Sequence, residues 1–432
     1  MHYIILLLSI PLAIFADDRL RLKRADILEN VVIDGQAVQY LTGNVVFEKG
    51  AMIINCAKAI NIEKTGQGSM IGNVKVVDDN RSLTCDSLHY DSPNDILNGF
   101  GNARVWDNDY DLLADTLVYY SKLDSGIARG NAELTQKSQI ITSHSIYYAK
   151  HTGEDAVSYT AEGDVTILED ERKATCGLAI YNREDQTTWL KLNPNVTEKD
   201  QTMAGSEIIL RYKDEVMEHL YIPEQAHVTT LTKGLREIKI SLNDTTTTRS
   251  EVQFVDDLTG SSLQGFFDAG QMDSLQVEGM ATSLYHIFED SIYQGKNIAS
   301  GDTIIMSFEE NNLDHIVVSG GSRGEYTPDS VTANIDGQII YSSEIIDYKV
   351  DQEQTDLHGN AKIHYTNMDL DAGFINVDWQ SNMLNATPQS NLDSNFTFLK
   401  PTILEQGRDP MTGDEMTYNL TSKKGRVTKG RT

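Results

Sequence analysis

The sequence predicts an all-β protein made of stacked antiparallel hairpins, and three observations support this fold class. A phrase that begins with Gly-Asn recurs at Gly43, Gly72, Gly101 and Gly130, with 29 residues from one glycine to the next. Apolar and polar residues alternate after each Gly-Asn, which is the period of a β-strand. Each copy contains two alternating runs separated by polar turn residues, so each copy predicts one hairpin. Because a hairpin cannot bury its own apolar face, successive hairpins are expected to share one curved sheet.

The first strand of each repeat is marked by apolar residues two and four places after the glycine. A copy with Asp in place of Asn starts at Gly163, weaker copies start at Pro194 and Glu224, and a clear one returns at Gly359. The residues between the apolar positions are mostly polar, so one face is expected inside and the other in water. The inner positions are Val45 and Phe47, Val74 and Val76, Ala103 and Val105, Ala132 and Leu134, and Val165 and Ile167.

The second strand of each repeat carries apolar residues eleven, sixteen and eighteen places after the glycine. These are Ile54 in the first copy, then Leu83, Leu88 and Tyr90, then Leu112, Leu117 and Tyr119, then Ile141, Ile146 and Tyr148. The inner positions change from odd-numbered (eleven) to even-numbered (sixteen and eighteen), which breaks the two-residue period of a strand. A β-bulge or sharp bend between positions eleven and sixteen is therefore predicted, since it would keep both halves facing the same interior.

The cysteines follow the same repeat. All three occupy the thirteenth position of their copies, where other copies have alanine or serine: Cys56, Cys85 and Cys176 against Ala114, Ser143 and Ala372. A position that accepts these residue types requires small volume and not sulfur chemistry. Free thiols are therefore predicted, with a bridge between Cys56 and Cys85 as the alternative.

The sequence offers no recognisable catalytic, cofactor or metal site. The acidic runs 78–82 and 107–111 resemble calcium loops in composition, but they fall where hairpin turns are required and lack the calcium-loop spacing. The glycine-rich stretch 320–326 lacks the context of a phosphate loop. His358 and His364 have no Cys or Glu at metal-ligand spacing. We expect no enzyme, no cofactor and no metal, although an acid and base pair assembled from distant residues stays open.

Charge and the amino-terminal segment indicate where the protein works. The net charge of −28 makes nucleic acid an unfavourable partner. Residues 1–16 combine an apolar run with a small residue before a charged stretch, which predicts a cleaved signal peptide. An uncleaved anchor is the alternative. We therefore expect the remaining chain to act outside the cytoplasm.

The repeated phrases, together with the signal segment, resemble the organic-solvent-tolerance A-like family. The phrases are "GNVVFEKG", "GNVKVVDD" with "LTCDSLHY", and "GNARVWDN" with "LLADTLVYY". That family includes periplasmic lipopolysaccharide transport proteins and the periplasmic domain of the outer-membrane lipopolysaccharide assembly protein. The resemblance runs by repeat from residue 25 to about 240. Residues 263–297 resemble the later part of long members, and residues 336–432 resemble the segment before the membrane barrel of the assembly protein.

The resemblance implies an open β-jelly-roll whose apolar interior holds the acyl chains of lipopolysaccharide, at about 0.8 kcal/mol per buried methylene. It implies a bridge in the periplasm, with association to the outer membrane as a further expectation. The implied partners are lipopolysaccharide, other jelly-rolls of the family joined by edge-strand addition, and the outer-membrane assembly barrel. The implied groove residues are Val45, Phe47, Ile54, Val74, Val76, Leu83, Leu88, Ala103, Val105, Leu112, Leu117, Leu134, Ile141, Ile146, Val165 and Ile167.

The expected organisation is two consecutive β units after the signal peptide. We predict jelly-roll repeats over 25–248, a second β segment over 249–330, and further repeats over 331–432 that end in a basic tail. Three alternatives stay open. The repeats would also suit a parallel β-helix of an adhesin or a polysaccharide-binding or lyase protein, a structural periplasmic spacer, or an ordinary closed core without ligand.

Overall fold

The computed structural model describes residues 20–62, 65–150, 157–214, 216–239, 247–310, 312–389, 396 and 398–432. The segment 1–16, for which a signal peptide is predicted, lies outside these residues. Every regular element in the described ranges is a β-strand, which confirms the all-β fold class. These ranges accordingly contain no helix that is long and apolar enough to span a bilayer.

The chain divides into two compact units, residues 1–167 and 168–432. The domain boundaries predicted from the sequence stay a prediction. Unit 1 contains eleven strands, the last of which extends two residues past the division. They are β1 (Arg21–Arg24), β2 (Ile27–Ile33), β3 (Gln36–Lys49), β4 (Met52–Ile62), β5 (Gln67–Asp78), β6 (Arg81–Asp91), β7 (Ile96–Trp106), β8 (Asp111–Tyr120), β9 (Ser125–Gln136), β10 (Gln139–Ala149) and β11 (Ser158–Glu169).

Unit 2 contains the remaining strands, most of them shorter. They are β12 (Arg172–Asn182), β13 (Thr187–Lys191), β14 (Asn195–Glu198), β15 (Gln201–Ala204), β16 (Glu207–Lys213), β17 (Val216–Ile222), β18 (Ala226–Lys239), β19 (Thr247–Gly260), β20 (Ser262–Asp268), β21 (Gln271–Glu289), β22 (Ile292–Glu309), β23 (Asn312–Ser319), β24 (Arg323–Pro328), β25 (Ile339–Ser342), β26 (Ile345–Lys349), β27 (Gln354–Tyr365), β28 (Met368–Asp378), β29 (Met383–Thr387), β30 (Thr402–Glu405), β31 (Met411–Thr412), β32 (Glu415–Asn419) and β33 (Lys424–Thr428).

The strands of unit 1 pair in chain order as antiparallel hairpins. From β3 to β10 each strand bonds to the next one, while β1 and β2 both pair with β3. This is the hairpin stack that the repeat predicts. The antiparallel ladders argue against a parallel β-helix, in which each coil would lie parallel to the next.

Unit 2 uses the same plan with interrupted strands. The halves β13 and β14 both pair with β12, and β29 and β30 both pair with β28, so each long strand is split at its bend. Among the described strands the pairing is antiparallel except for a single bridge between Leu235 and Ile292. Both units are therefore rolls of bent antiparallel strands, which confirms the jelly-roll architecture.

The Gly-Asn pair lies in the middle of a strand and bends it. Strand β7 begins five residues before Gly101 and continues through Gly101 and Asn102, whose φ angles are 73° and 46°. Two successive residues in the left-handed region turn the chain sharply, and Gly and Asn tolerate that region best. Other copies of the repeat show the same pair of angles, and the glycine-rich stretch adds one at Gly320 and Gly321.

A carboxylate from earlier in the chain covers most of these bends, whereas Ala57 lies over Gly72 and His144 over Gly163. A Cβ atom on Gly101 would lie 2.4 Å from Asp86 Oδ2, and Asn102 Nδ2 donates a hydrogen bond of 2.9 Å to the same oxygen. The Gly is thus required for space as well as for φ. Equivalent bonds join Asn44 to Asp26, Asn131 to Asp115 and Asn360 to Glu344.

The predicted bulge of the second strand is present. Pairing of β6 with β7 shifts register between Thr84 and Ser87, and pairing of β8 with β9 shifts between Leu113 and Thr116. These shifts fall between positions eleven and sixteen. The acidic runs are hairpin turns, as predicted: Asp107 N–H donates to the Tyr110 carbonyl over 3.0 Å, and Asp107 Oδ1 accepts from the amide of Asp109.

The cysteines are free, as predicted, and all three are buried. Burial raises the pKa of the Cys56 and Cys85 thiols to about 11. A thiol with that pKa stays protonated at neutral pH and is a weak nucleophile. Packing is therefore the role that the structure supports for these side chains.

Candidate functional site

The inner face of unit 1 contains every residue that the sequence assigns to a groove. All sixteen side chains are at most 8% exposed, and Phe47, Ile54 and Val105 are fully buried. Most of them lie after the Gly-Asn bend or on the facing half of the next strand. Leu88, Leu117 and Ile146 lie beyond the bulge, in the other half of the bent sheet.

The two halves of the bent sheet face each other across this interior. Val76, Leu83 and Val105 from one half and Leu97 and Tyr119 from the other line a common cavity of about 10 Å³. That volume is about the minimum that holds one water molecule. The interior is therefore a close-packed apolar core in this conformation.

Sequence reasoning missed the inner residues that precede the bend. They are Leu41, Met70, Leu97, Ala128, Tyr159 and Ala161, each at most 2% exposed. They lie two or four places before the glycine, so they share the even parity of the inner residues after it. The signal was present in the repeat. The even parity extends through the glycine in both directions, which places these residues on the same face.

A row of ion pairs, here called the polar seam, closes one rim of this interior. It joins the turn that follows the first strand of one repeat to the turn that ends a neighbouring repeat. Its pairs are Lys49 with Asp95, Arg81 with Asp124, and Lys150 with Asp107 and Asp109. The partners lie more than forty residues apart in the chain, so the repeat pattern did not predict them.

Lys49 and Asp95 form the most buried pair of the seam, with side chains 5% and 6% exposed. Lys49 Nζ also donates to the Ser92 carbonyl over 2.6 Å, and the Tyr90 hydroxyl donates to Asp95 over 2.7 Å. Burial alone would raise the pKa of Asp95. The hydrogen bonds from Lys122, Lys49 and Tyr90 outweigh it and lower the pKa of this carboxyl.

Arg81 forms the centre of the seam. Its guanidinium donates to the Tyr119 hydroxyl over 2.7 Å and lies 3.3 Å from Asp124. Tyr110 also donates to Asp124. Burial raises the pKa of Asp124 in spite of the nearby positive charge of Arg81. This cluster links the polar rim directly to the cavity, because Arg81 and Tyr119 both line it.

Lys150 forms the third part of the seam, 2.8 Å from Asp107 and 2.5 Å from Asp109. Burial opposes the charge of Asp107, but bonds from Lys150 and from backbone amides lower the pKa of its carboxyl. In the described part of unit 1, the seam therefore consists of charges that are matched by counter-charges. This arrangement suits a closure over apolar surface and offers no activated nucleophile or general base.

Comparison with known proteins finds a family model that matches part of the repeats. Residues 113–216 match a family model described as LptA/(LptD N-terminal domain) LPS transport protein. No curated protein matches the chain significantly. Among solved structures, LptH of Pseudomonas aeruginosa, the LptA-homologous periplasmic component of the lipopolysaccharide transport device, is 16% identical. That match covers 35% of this chain and 94% of LptH, with a TM-score of 0.29.

The matched segment begins in β8 and ends in β17, so it includes several of the bent hairpins described above. Residues 113–216 of this chain are therefore similar to LptA and to the N-terminal domain of LptD, the proteins that this family model describes.

Proposed function

We propose that this protein is a periplasmic component of lipopolysaccharide transport that holds the acyl chains of its cargo in the apolar interior of unit 1. The observation that carries the proposal is the uninterrupted apolar inner face of the repeats, part of which lies in the family segment. An acidic protein is poorly suited to grip the phosphates of an anionic glycolipid. An apolar lining is well suited to its acyl chains.

Binding of an acyl chain would replace apolar contacts between side chains with apolar contacts to the acyl chain. The interior is closely packed, so acyl chains enter only when the two halves of the bent sheet separate. Val76 and Leu97 line the same cavity from opposite halves, and an acyl chain between the separated halves restores apolar contact on both sides. Each buried methylene contributes about 0.8 kcal/mol, so a chain of ordinary length offsets a large part of the cost of separation.

The polar seam is the rim at which we propose that separation occurs. Its pairs join hairpin turns, whereas elsewhere the described strands are held by continuous backbone ladders. When the seam opens, water solvates its charged groups. Opening the seam therefore costs less free energy than breaking the backbone hydrogen bonds between two strands. The cargo then enters along the side of the roll.

Strand β2 is the edge through which we propose that partner jelly-rolls bind. In the described structure it pairs only with β3, so its other backbone edge is available. Five of its apolar side chains are at least 43% exposed: Ile27, Leu28, Val31, Val32 and Ile33. An unpaired apolar edge favours strand addition. We propose that another roll of this family, or the outer-membrane assembly protein, adds there and that the protein thereby supports outer-membrane assembly.

Photo-crosslinking tests the proposed cargo site. A photoreactive amino acid at Val76 or Val105, both at most 4% exposed, is expected to capture lipopolysaccharide in cells. The neighbouring outward positions Lys75 and Arg104 are the matched controls and are expected to stay unlabelled. Val105→Asp is expected to weaken capture at Val76, because a carboxylate among acyl chains loses water without gaining a partner.

Equal labelling at inward and outward positions, or labelling at neither, would contradict lipid transport. The protein would then be a structural periplasmic spacer with an ordinary closed core. Circular dichroism of each variant distinguishes a lost binding site from a lost fold, since only folded variants count in the comparison.

A further inference from the structure

A cluster of histidine and aspartate side chains lies on the outer face of unit 2, away from its apolar interior. It spans the neighbouring strands β23, β26 and β27, which pair in that order. Asp347 on β26 is directly opposite Asp356 on β27, and His358 follows two residues later on the same face. The inward residues between them, Ile346 and Leu357, are buried in the core.

The ligand atoms of this cluster converge. One atom each from Asp347, Asp356 and His358 lies within 4.8 Å of the other two. His315 on β23 approaches the same group, with Nε2 3.8 Å from Asp347 Oδ1. Three side chains of the types that bind transition metals thus converge, and His315 borders them next to Asp347.

Two polar atoms of the converging side chains are buried without a hydrogen-bond partner. They are Asp347 Oδ1 and His358 Nδ1. Buried polar atoms in folded proteins are nearly always hydrogen-bonded, so two unpartnered atoms in one cluster need an explanation. A carboxylate oxygen can only accept, and a deprotonated imidazole nitrogen also accepts. A cation between them would satisfy both.

The orientation of His315 points to the same ligand. Its Nδ1 lies 2.7 Å from Asp314 Oδ2, so the proton of the neutral ring belongs on Nδ1. Nε2 then presents its lone pair toward Asp347. A carboxylate that holds a histidine in this way is the usual outer partner of a metal-binding imidazole.

Asp356 already accepts hydrogen bonds at both of its carboxylate oxygens. Its Oδ2 accepts from Lys349 Nζ over 2.7 Å and its Oδ1 from Asn376 Nδ2 over 2.7 Å. Lys349 therefore balances one of the two carboxylates, and the charge of Asp347 is left for a cation. A bound ion would use Asp347, His358 and His315 first and would share Asp356 with Lys349.

We propose that His315, Asp347, Asp356 and His358 bind one divalent transition-metal ion of the Zn²⁺ class. Two imidazoles with carboxylates favour Zn²⁺ over Ca²⁺ or Mg²⁺, which prefer oxygen ligands. The rings of Phe374 and Phe396 lie 5.1 Å and 5.6 Å from the His358 ring and restrict water on that side. The ion would link three adjacent strands. This site is independent of the proposed lipid interior.

Calorimetric titration of the metal-free full-length protein with Zn²⁺ tests the site. We expect one equivalent bound with a Kd of about 1 µM or below, and a loss of about tenfold or more in affinity for His358→Gln and for Asp347→Asn. His364→Gln is the matched control. His364 lies on the same strand and has its own aspartate, Asp369, at 2.7 Å, but that pair is about half exposed. The His364→Gln variant is expected to bind Zn²⁺ with the same affinity as the wild-type protein.

A spectroscopic measurement on the wild-type protein tests the site without depending on the folding of any variant. Co²⁺ added to the wild-type protein is expected to give visible absorption bands of a nitrogen and oxygen site, and Zn²⁺ is expected to remove them. The proposal is wrong if the wild-type protein binds no equivalent of Zn²⁺, if folded His358→Gln binds as tightly as wild type, or if Ca²⁺ binds as tightly as Zn²⁺.

Discussion

Lys49 and Asp95 show how much one pair of residues can contribute to the closure of the roll. Both side chains are almost completely buried, and removing one partner takes away the counter-charge that this pair gives the other buried group. A surface pair such as Arg104 with Asp111, which is 44% and 30% exposed, keeps most of its solvation. The two pairs therefore should respond very differently to the same substitution.

Asp95→Asn is expected to lower the free energy of unfolding by about 3 kcal/mol. Asn tolerates the left-handed backbone of this residue, whose φ is 55°, so the change mainly removes the charge. Asp111→Asn is the control and should cost less than about 1 kcal/mol. Urea unfolding followed by circular dichroism measures both. Equal losses would mean that the seam contributes no more than a surface ion pair.

Two carboxylates of the seam, Asp95 and Asp107, also predict acid sensitivity. The pKa values of Asp95 and Asp107 are lowered in the folded protein. Their contribution is therefore present above the unfolded-state pKa of about 3.9 and is lost as the pH falls through the folded-state values. We expect the free energy of unfolding to decrease below about pH 4. The decrease should be smaller for Asp95→Asn, and an unchanged pH dependence in this variant would contradict the assignment.

Cys85 is expected to be replaceable. Cys85→Ala should lower the free energy of unfolding by about 1 kcal/mol, since the same repeat position has alanine at Ala114 and Ala372. The raised thiol pKa of about 11 predicts slow alkylation of the folded protein at neutral pH. Mass spectrometry after alkylation, with and without denaturant, measures this. Rapid labelling of the native protein would contradict the packing role.

At the scale of the strand, the Gly-Asn bend is the element that turns a flat hairpin into part of a roll. The left-handed pair bends the first strand, and the bulge one strand later keeps the facing residues on the inner side. Gly101 is constrained twice, by its φ of 73° and by Asp86 above it. Gly50 has a φ of 58° but nothing within 4 Å of an added Cβ.

Gly101→Ala is therefore expected to cost about 2 kcal/mol, and Gly50→Ala about 1 kcal/mol. The difference comes from Asp86, which must rotate and lose the bond from Asn102. Thermal and urea unfolding of the two variants measure it. If both variants lose the same stability, the backbone angle alone explains the glycine and the carboxylate contributes no constraint.

At the scale of the whole molecule, the free edge of β2 is the feature that predicts association. Leu28→Lys combined with Val32→Lys places two charges on residues that are 45% and 74% exposed. Lysine on an edge strand disfavours pairing with another sheet. We expect this double variant to lose pairing with other copies or with partner rolls while the fold is retained. Light scattering after size-exclusion chromatography measures it.

Ile53→Lys is the matched control for this edge. Ile53 is 42% exposed, but its strand β4 is paired on both sides, by β3 and by β5. A charge there changes surface hydrophobicity without touching a free edge. If Ile53→Lys abolishes association as completely as the double variant, exposed apolar surface and not strand addition is responsible.

The amino-acid sequence by itself determined the local architecture of this protein. The period of two, the Gly-Asn phrase and the change of parity all act between neighbouring residues or neighbouring strands. They were sufficient to predict antiparallel hairpins, the bulge, the free cysteines and the inward direction of residues such as Phe47 and Leu134. The hairpins, the bulge and the inward residues follow from strand geometry, which depends on neighbouring residues and strands. The free cysteines follow from the small residues that share their repeat position.

Only the tertiary structure decided which distant residues meet. Nothing in the repeat pattern singles out Lys49, and its partner Asp95 lies 46 positions away. His358 has no ligand at a recognisable spacing, yet strand pairing places Asp347 opposite Asp356 and brings both to it. The reason is physical. A repeat specifies how each strand bends, but the sum of many bends determines which turns close the rim and which outer faces lie together.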